Sequence, residues 1–249
     1  MIKLGLLGFP LGHSFSKSYY LDKFDKQGIT NIDYDLYALE DIASFQELYT
    51  NDVNFKGFNV TIPHKIAVLP LLNSLSEEAA AIGAVNCITV ARDEDKIILK
   101  GYNTDAYGFE ESLKPMLKEN HTKALVLGNG GAAKAVLYTL RKLNISYLVV
   151  SRSKENGDIT YEELDAQRIQ EYPIIINCSP VGTFPNTEQC PTLPYEALSA
   201  SHILYDLIYN PAETKFLQLG KERGATVKNG YEMLILQAEK NWEIWQNNF

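Results

Sequence analysis

The chain has 249 residues, of which 45% are hydrophobic and 22% charged, as is typical of a globular protein with one or two domains. Acidic residues outnumber basic ones, 31 to 23, and no lysine or arginine run occurs, so we expect no nucleic-acid partner. No apolar stretch approaches the roughly 18 residues that a membrane span needs, so we expect no membrane association.

The cysteine content and residues 1–11 indicate the cellular compartment. The three cysteines have no C-x-x-C spacing, and the four histidines are scattered, so we predict free thiols and no metal site. Residues 1–11 are explained better by a buried strand and its turn than by a signal peptide, because glycines and a proline interrupt them. We therefore expect a cytoplasmic protein.

Strands and helices alternate in the first part of the chain. A strand at 2–8 precedes a helix at 15–27, with Ser14 or Ser16 as its N-cap and Gly28 at its end. The remaining predicted elements are a strand at 33–39, a helix at 41–50, a strand at 55–62, helices at 66–73 and 77–82, and a hairpin of strands at 85–92 and 97–101.

A second alternating series begins after Thr104. It comprises a helix at 106–118, a strand at 123–127, a helix ending at 143, strands at 147–150, 172–178, 203–208 and 226–227, and helices at 212–223 and 232–245. Such alternation predicts parallel sheets with crossover helices. We predict two α/β domains around a cleft: residues 1–103 form the first, residues 104–231 form the second, and the helix in 232–249 packs back on the first domain.

A glycine-rich loop follows the strand at 123–127. Gly128, Gly130 and Ala133 occupy the G-x-G-x-x-A positions, which provide a tight turn, a close approach of backbone to a pyrophosphate, and close packing of helix on strand. The start of the following helix supplies free N–H groups and a positive dipole to phosphates. This pattern predicts that residues 104–231 form a Rossmann-type dinucleotide-binding domain, although a tight turn that binds nothing has the same pattern.

The residues after the next strand indicate which dinucleotide binds. An NAD site has an acidic residue at this position for the ribose hydroxyls, but here the strand runs into Ser151-Arg152-Ser153-Lys154. A guanidinium can hold a 2′-phosphate in fork geometry, and hydroxyls beside it add donors. NADP is therefore the preferred cofactor over NAD.

Polar residues in the first domain occur at the ends of predicted elements. Ser14 and Ser16 begin a helix, and Lys65 follows the proline that ends the strand at 55–62. Asn86 and the segment 103–105 flank the later strands. Taken singly, each suits capping or turn formation, and Lys65 suits a surface lysine. Together they predict that the first domain, residues 1–103, binds a small-molecule substrate.

The ordered series of motifs resembles the shikimate dehydrogenase family along nearly the full chain. The motifs are Gly8-Phe9-Pro10, His13-Ser14-Phe15-Ser16, Asn59 to Lys65, Ile82 to Asn86, Gly101 to Asp105, Gly128 to Ala133, Tyr205 to Pro211, Asn229-Gly230, Met233-Leu234 and Gln237-Ala238. The resemblance implies NADP-linked, reversible reduction of 3-dehydroshikimate to shikimate in aromatic amino-acid biosynthesis.

The resemblance also implies a role for particular residues. Lys65 and Asp105 would be the catalytic pair at the reacting carbonyl. Ser14 and Ser16 would hold the substrate carboxylate, and Thr61, Asn86 and Gln237 would bind its carboxylate or ring hydroxyls. Tyr209 and Gly230 would lie near the substrate and the nicotinamide. The predicted cofactor residues are Gly128, Asn129, Gly130, Gly131, Ala132, Ala133, Ser151, Arg152, Ser153, Lys154 and Gly230.

Four segments depart from the family pattern, and three alternatives stay open. Lys17 replaces the usual proline, Ser151-Arg152-Ser153 replaces the commoner Asn-Arg-Thr, Gly182-Thr183-Phe184 replaces the usual glycine-methionine, and Tyr231-Glu232 replaces the usual leucine-glycine. The alternatives are a broader quinate/shikimate dehydrogenase, a non-catalytic NADP-binding relative, and a folate-linked dehydrogenase, which the serine pair and Gln237 do not suit. We expect a monomer or homodimer.

Overall fold

The computed structural model describes residues 1–12, 14–94 and 96–249. Its contacts divide the chain into two compact units. Unit 1 contains Met1–Thr104 and Gln237–Phe249, and unit 2 contains Asp105–Leu236. The second division lies within one helix. Both units are α/β, as the alternation of strands and helices predicts.

Unit 1 is built on a mixed six-stranded sheet. Its strands are β1 (Ile2–Gly8), β2 (Ile32–Ala38), β3 (Phe55–Val60), β4 (Ser74–Leu75), β5 (Cys87–Asp93) and β6 (Lys96–Tyr102), in the order β2-β1-β3-β5-β6-β4. Its helices before residue 104 are α1 (Phe15–Lys26), α2 (Phe45–Asn51), α3 (His64–Ala67) and α4 (Glu77–Ile82). Strands β1, β2 and β3 are parallel, whereas β5 runs antiparallel to β3 and β6.

Unit 2 has a fully parallel sheet. Its elements are α5 (Asp105–Leu113), β7 (Lys123–Leu127), α6 (Gly131–Lys142), β8 (Ser146–Ser151), β9 (Ile159–Thr160), α7 (Ala166–Glu171), β10 (Ile174–Asn177), β11 (Ile203–Asp206), α8 (Lys215–Glu222) and β12 (Thr226–Lys228), followed by the first part of α9 (Tyr231–Gln246), which continues into unit 1. The strand order is β12-β11-β10-β7-β8-β9. Counted with β7 as strand 1 and read from β9 to β12, it is the 3-2-1-4-5-6 order of the doubly wound dinucleotide fold. The strands are continuous apolar runs, as a sheet covered on both faces requires.

The last part of α9 completes the core of unit 1. Trp245 is fully buried, and its indole N–H donates to the carbonyl of Ile88 at 3.0 Å. Its ring lies 5.5 Å from that of Tyr20, centroid to centroid, and the Tyr20 hydroxyl donates to the carbonyl of Ala238 at 2.8 Å. Gly57 leaves room for this indole, because a Cβ there would lie 2.2 Å from the indole nitrogen.

Several predicted elements differ from the structure for local reasons. The helix predicted at 66–73 is α3 followed by a 3₁₀ turn at Leu69–Leu71, because Pro70 cannot donate to a longer helix. The helix predicted at 106–118 ends at Leu113, and Pro115 lies in the 3₁₀ turn that follows. The helix predicted from 212 begins at 215, where the Thr214 side chain accepts from the amide of Leu217.

The sequence interpretation missed three short elements, β4, β9 and α7. Two-residue strands carry no measurable alternation, and α7 has six residues and one buried side chain. In the part of the chain that the structure describes, no helix is long and apolar enough to cross a membrane.

Candidate functional sites in the two units

One edge of the unit 1 sheet collects most of the predicted substrate residues. β1 and β3 are parallel, with Leu7 paired to Val60, so the chain leaves both strands at the same edge. The antiparallel strand β5 begins at this edge, because Cys87 pairs with Asn59. Strand β6 ends here too, since Tyr102 pairs with Cys87. Residues that follow β1, β3 and β6, or precede β5, are therefore neighbours.

Helices that start at this edge position the serines and Lys65. Ser14 is the N-cap residue of α1, in extended conformation, and Ser16 lies in the first turn. Lys65 lies in α3 and is partly buried. Its carbonyl accepts from the amide of Val85 at 2.8 Å, which ties α3 to the chain entering β5. Three predicted residues thus follow the carboxyl ends of two neighbouring strands.

Thr61 packs directly on the end of β1. Its amide donates to the carbonyl of Leu7 at 2.8 Å, and its carbonyl accepts from the amide of His64 at 2.9 Å. A Cβ on Gly8 would lie 2.4 Å from the Thr61 methyl group, so glycine is needed there for the two strand ends to approach. The backbone at Thr61 is fixed from both sides.

Asn86 and Gln237 come together although 151 positions separate them. The side-chain amide nitrogen of Asn86 lies 3.3 Å from the amide oxygen of Gln237. Both side chains are at least nine-tenths buried. Gln237 is the first residue of α9 that belongs to unit 1. The prediction from motifs placed both residues in one site, and they are in contact.

Ser16 is linked to this pair through two residues that the sequence interpretation gave no role. The Tyr34 hydroxyl is hydrogen-bonded to Ser16 and donates to the side-chain oxygen of Asn59 at 2.8 Å. The Asn59 amide group donates to the carbonyl of Asn86 at 3.2 Å. Burial raises the pKa of the Tyr34 hydroxyl well above its usual value, so it stays a neutral donor.

Three predicted residues belong to unit 2. Asp105 is the first residue of α5 and is 7% exposed. Tyr209 follows β11 and is half-exposed, and burial raises the pKa of its hydroxyl. Gly230 immediately precedes α9, and a Cβ there would lie 2.1 Å from the carbonyl oxygen of Leu207, so no other residue fits without moving backbone.

The glycine loop has the geometry that its pattern predicts. Gly128 has φ +96°, a conformation that side chains with a Cβ rarely adopt, and a Cβ there would meet the amide of Ser179 at 3.3 Å. Gly130 is the N-cap residue of α6, and a Cβ on Gly130 or Gly131 would meet nothing within 4 Å. Ala133 is fully buried in the core, as close packing of helix on strand requires.

A cavity of about 980 Å³ opens where the strand order of unit 2 reverses, between β7 and β10. This is the position at which open α/β sheets bind ligands. Six predicted cofactor residues line it: Gly128, Asn129, Gly130, Ser151, Arg152 and Ser153. Its size is within the range of small-molecule and cofactor sites.

The basic turn after β8 forms one wall of this cavity. Burial raises the pKa of the Tyr161 hydroxyl, and the nearby positive charge of Arg152 partly offsets that rise, so the two side chains share this wall. Asn156 bonds the Ser153 hydroxyl at 3.0 Å, and the Asn129 amide reaches the Asn156 carbonyl at 3.0 Å. The glycine loop and the basic turn are thereby joined.

Lys154 differs from its neighbours, since it is not part of the cavity wall. Its ammonium lies 2.9 Å from the carboxylate of Glu163, and its side chain is 70% exposed. Gly131, Ala132 and Gly230 also do not line the cavity. The cofactor role stays a prediction for these residues and for those that line the cavity.

The sequence interpretation missed much of the opposite wall. The segment that leaves β10 contributes Cys178, Ser179, Pro180 and Val181, and a later loop contributes Cys190, Pro191 and Thr192. The polar residues after the strand at 172–178 were a usable signal, because parallel strands end at one edge. Nothing in the sequence indicated the later loop. Among the described residues, no group of three or more His, Cys, Asp or Glu side chains could hold a metal ion.

The strand order, the glycine loop and the cavity at the reversal point define unit 2 as a Rossmann-type dinucleotide-binding fold. Comparison with known proteins specifies the family. Residues 6–88 match the model of the shikimate dehydrogenase substrate binding domain. The NADP(+) shikimate dehydrogenase of Methanosphaera stadtmanae is 34% identical over 261 residues, which cover 97% of this chain and 90% of that protein.

Solved structures agree over the whole chain. A chorismate mutase/shikimate 5-dehydrogenase fusion protein from Clostridium acetobutylicum matches with TM-score 0.86 and 35% identity, over 100% of this chain and 91% of that one. The shikimate 5-dehydrogenase of Thermus thermophilus, solved with NADP(H) and shikimate, matches with TM-score 0.85 and 30% identity, over 99% and 94%. The chain belongs to the shikimate dehydrogenase family, which confirms the resemblance found in its motifs.

Proposed function

We propose that this protein is an NADP-dependent shikimate dehydrogenase, which catalyses the reversible reduction of 3-dehydroshikimate to shikimate in aromatic amino-acid biosynthesis. The observation that carries the proposal is the full-length similarity, at 34% identity, to a relative of that activity, together with an arginine where an NAD enzyme has an acid. We expect a cytoplasmic enzyme that acts as a monomer or homodimer on small molecules alone.

The unit 2 cavity suits the cofactor. NADP, when bound, would supply the hydride donor or acceptor. Gly128, Asn129 and Gly130 line the cavity and offer backbone amides to the pyrophosphate, and Gly130 leaves open space for it at the start of α6. Arg152 offers its guanidinium to the 2′-phosphate, with the hydroxyls of Ser151 and Ser153 beside it. Gly131, Ala132, Ala133, Lys154 and Gly230 complete the proposed set.

The unit 1 edge suits a polar carboxylate substrate. Ser14 and Ser16 supply hydroxyl donors at the start of α1 for the carboxylate. Thr61, Asn86 and Gln237 supply a hydroxyl and two amides for the carboxylate or the ring hydroxyls. Hydrogen bonds behind Ser16, Asn86 and Gln237 restrict the orientations of these three side chains, so ordering them on binding costs little free energy. Tyr209 completes the proposed substrate set.

Lys65 and Asp105 are proposed as the catalytic residues. Hydride addition to the ketone leaves negative charge on its oxygen, which needs a positive group and a proton. Lys65 is proposed to donate that proton through its ammonium, and Asp105 is proposed to act as the carboxylate that orients the ammonium and shares in the proton transfer. In the reverse direction the same groups remove the hydroxyl proton of shikimate.

An initial-rate assay with four substrate pairs tests the proposal. Shikimate and quinate are each offered with NADP⁺ and with NAD⁺, and we expect the highest kcat/KM for shikimate with NADP⁺. Equal use of quinate would identify the broader dehydrogenase, and no turnover with any pair would refute the proposed activity in favour of a binding protein.

Two lysine variants test the catalytic assignment. Lys65→Ala should lose most of kcat, about 10²-fold or more, and keep NADP⁺ affinity, because general acid–base catalysis contributes on that scale. Lys56→Ala is the matched control, since Lys56 is also partly buried but lies near the opposite end of β3. Equal turnover in the two variants would remove Lys65 from the mechanism.

A further inference from the structure

A set of buried hydrogen bonds lies behind Gln237. It contains Asn86, Thr104 and Asn241, whose side chains are 3%, 2% and 0% exposed. Asn241 lies one turn after Gln237 on α9, and Thr104 is the last residue of unit 1 before α5. Because these residues are almost fully buried, each donor must face an acceptor. That requirement fixes which way every amide points.

The backbone N–H of Thr104 determines the orientation of the Asn86 amide, because an N–H group can only donate. It donates to the side-chain oxygen of Asn86 at 2.8 Å. The Asn86 nitrogen is therefore on the other side, where it lies 2.9 Å from the Thr104 hydroxyl and 3.3 Å from the Gln237 oxygen. Both of those oxygens must accept from it.

The Thr104 hydroxyl determines the orientation of the Asn241 amide. It has one proton, and its shortest contact is with the Asn241 side-chain oxygen, at 2.7 Å. Asn241 therefore presents its nitrogen to the Gln237 oxygen at 3.0 Å. The second proton of that nitrogen is matched as well, because Asn241 is also hydrogen-bonded to the Tyr20 hydroxyl, which donates its own proton to a backbone carbonyl.

The amide oxygen of Gln237 thus receives two donors, and its –NH₂ group points away from both. Turning the amide over would place that –NH₂ group against the two donors from Asn86 and Asn241. Buried donors that face another donor lose their hydrogen bonds without compensation, so the flipped state is strongly disfavoured.

We propose that Asn241 is a positioning residue that fixes the amide of Gln237, so that Gln237 offers its –NH₂ group to the substrate. The substrate atom recognised there is consequently a hydrogen-bond acceptor, namely a carboxylate or hydroxyl oxygen. This inference rests on the proposed function for the role of Gln237 in substrate binding, and it adds the polarity of that contact and the residue that sets it.

A double-mutant cycle between Asn241 and Gln237 tests the positioning role. Asn241→Asp replaces the donor to Gln237 by an acceptor, which favours the flipped amide. The KM for shikimate should rise about tenfold or more, with the KM for NADP⁺ unchanged within twofold. In a Gln237→Ala background the same change should alter the shikimate KM by less than twofold, because residues that act through one another are not additive.

The outcomes separate this inference from the proposed function. Failure of the wild-type protein to turn over shikimate rejects the proposed function, and the inference with it. Wild-type turnover with equal effects of Asn241→Asp in both backgrounds, or with parallel rises in both KM values, rejects the positioning role alone.

Thr104 variants provide a second test. Unlike Asn241→Asp, they do not introduce a carboxylate into the buried set. Thr104→Ser keeps the hydroxyl that orients the Asn241 amide, so its KM for shikimate should stay within about threefold of the wild-type value. Thr104→Val removes the hydroxyl at similar size and should raise the shikimate KM about tenfold, again without changing the KM for NADP⁺. Equal shikimate KM values for the two variants would overturn the proposal.

Discussion

Asp206 should make the folded protein less stable as the pH rises through the weakly acidic range. The carboxylate is fully buried at the end of β11 and accepts from three neutral donors: the amide group of Asn177 at 3.0 Å, the backbone amide of Ile208 at 3.0 Å, and the hydroxyl of Thr214 at 2.6 Å. Burial raises its pKa to about 6, and the three hydrogen bonds offset only part of that rise.

The direction of the effect follows from proton binding. Between pH 3.8, the ordinary value, and about 6, the folded state holds a proton on Asp206 that the unfolded chain has lost. The contribution of this group to the free energy of unfolding is therefore fully present below pH 3.8 and is lost as the pH rises through 6. A shift of about two pH units at about 1.4 kcal/mol per unit corresponds to about 3 kcal/mol.

Asp206→Asn removes the titration while keeping the shape of the side chain. Its free energy of unfolding, measured by urea titration from pH 4.5 to 8, should rise relative to wild type by about 2 kcal/mol across that range, because the rest of the effect lies below pH 4.5. Asp165→Asn is the control for loss of one carboxylate, because Asp165 is an exposed N-cap that asparagine also fills. If the free energy of unfolding of Asp206→Asn differs from that of wild type by the same amount at every pH, the reasoning is refuted.

Three further predictions concern the packing and the cofactor site. Gly230→Ala should lower the melting temperature in thermal denaturation, because the new Cβ would lie 2.1 Å from the Leu207 carbonyl oxygen; an unchanged value would contradict this packing. Gly57→Ala should lower the free energy of unfolding by about 1–3 kcal/mol in urea, since its Cβ displaces the Trp245 indole, and a neutral result would show that the indole can move freely. Arg152→Gln should raise the KM for NADP⁺ about tenfold or more and leave the KM for NAD⁺ nearly unchanged, and parallel rises in initial-rate assays would exclude a 2′-phosphate contact.

The cofactor unit was largely predictable because its signals are local. The strand, glycine loop and helix at 123–142 follow one another in sequence, so the pattern of residues specifies the turn directly. Arg152 was predicted from its position after the next strand, and the structure places it in the cavity wall. In such segments, residues that are close in sequence are also close in space.

The buried network was not predictable from the sequence. Tyr34, Asn59 and Asn241 look like ordinary strand and helix residues, and their contacts depend on strand order and on how α9 packs. Asn86 became a neighbour of Gln237 only through tertiary structure, across 151 positions. Patterns of hydrophobicity record which face of an element is buried, and they carry no record of its partner.

The division within α9 has a consequence for the synthesis of the chain. Unit 2 is continuous in sequence, from Asp105 to Leu236, whereas unit 1 takes its last part from Gln237–Phe249. A chain emerging from the ribosome at about 5–20 residues per second therefore carries every residue of unit 2 before Trp245 appears. Unit 1, whose first part precedes unit 2 in the chain, therefore cannot complete its core beside Gly57 until Trp245 has been translated.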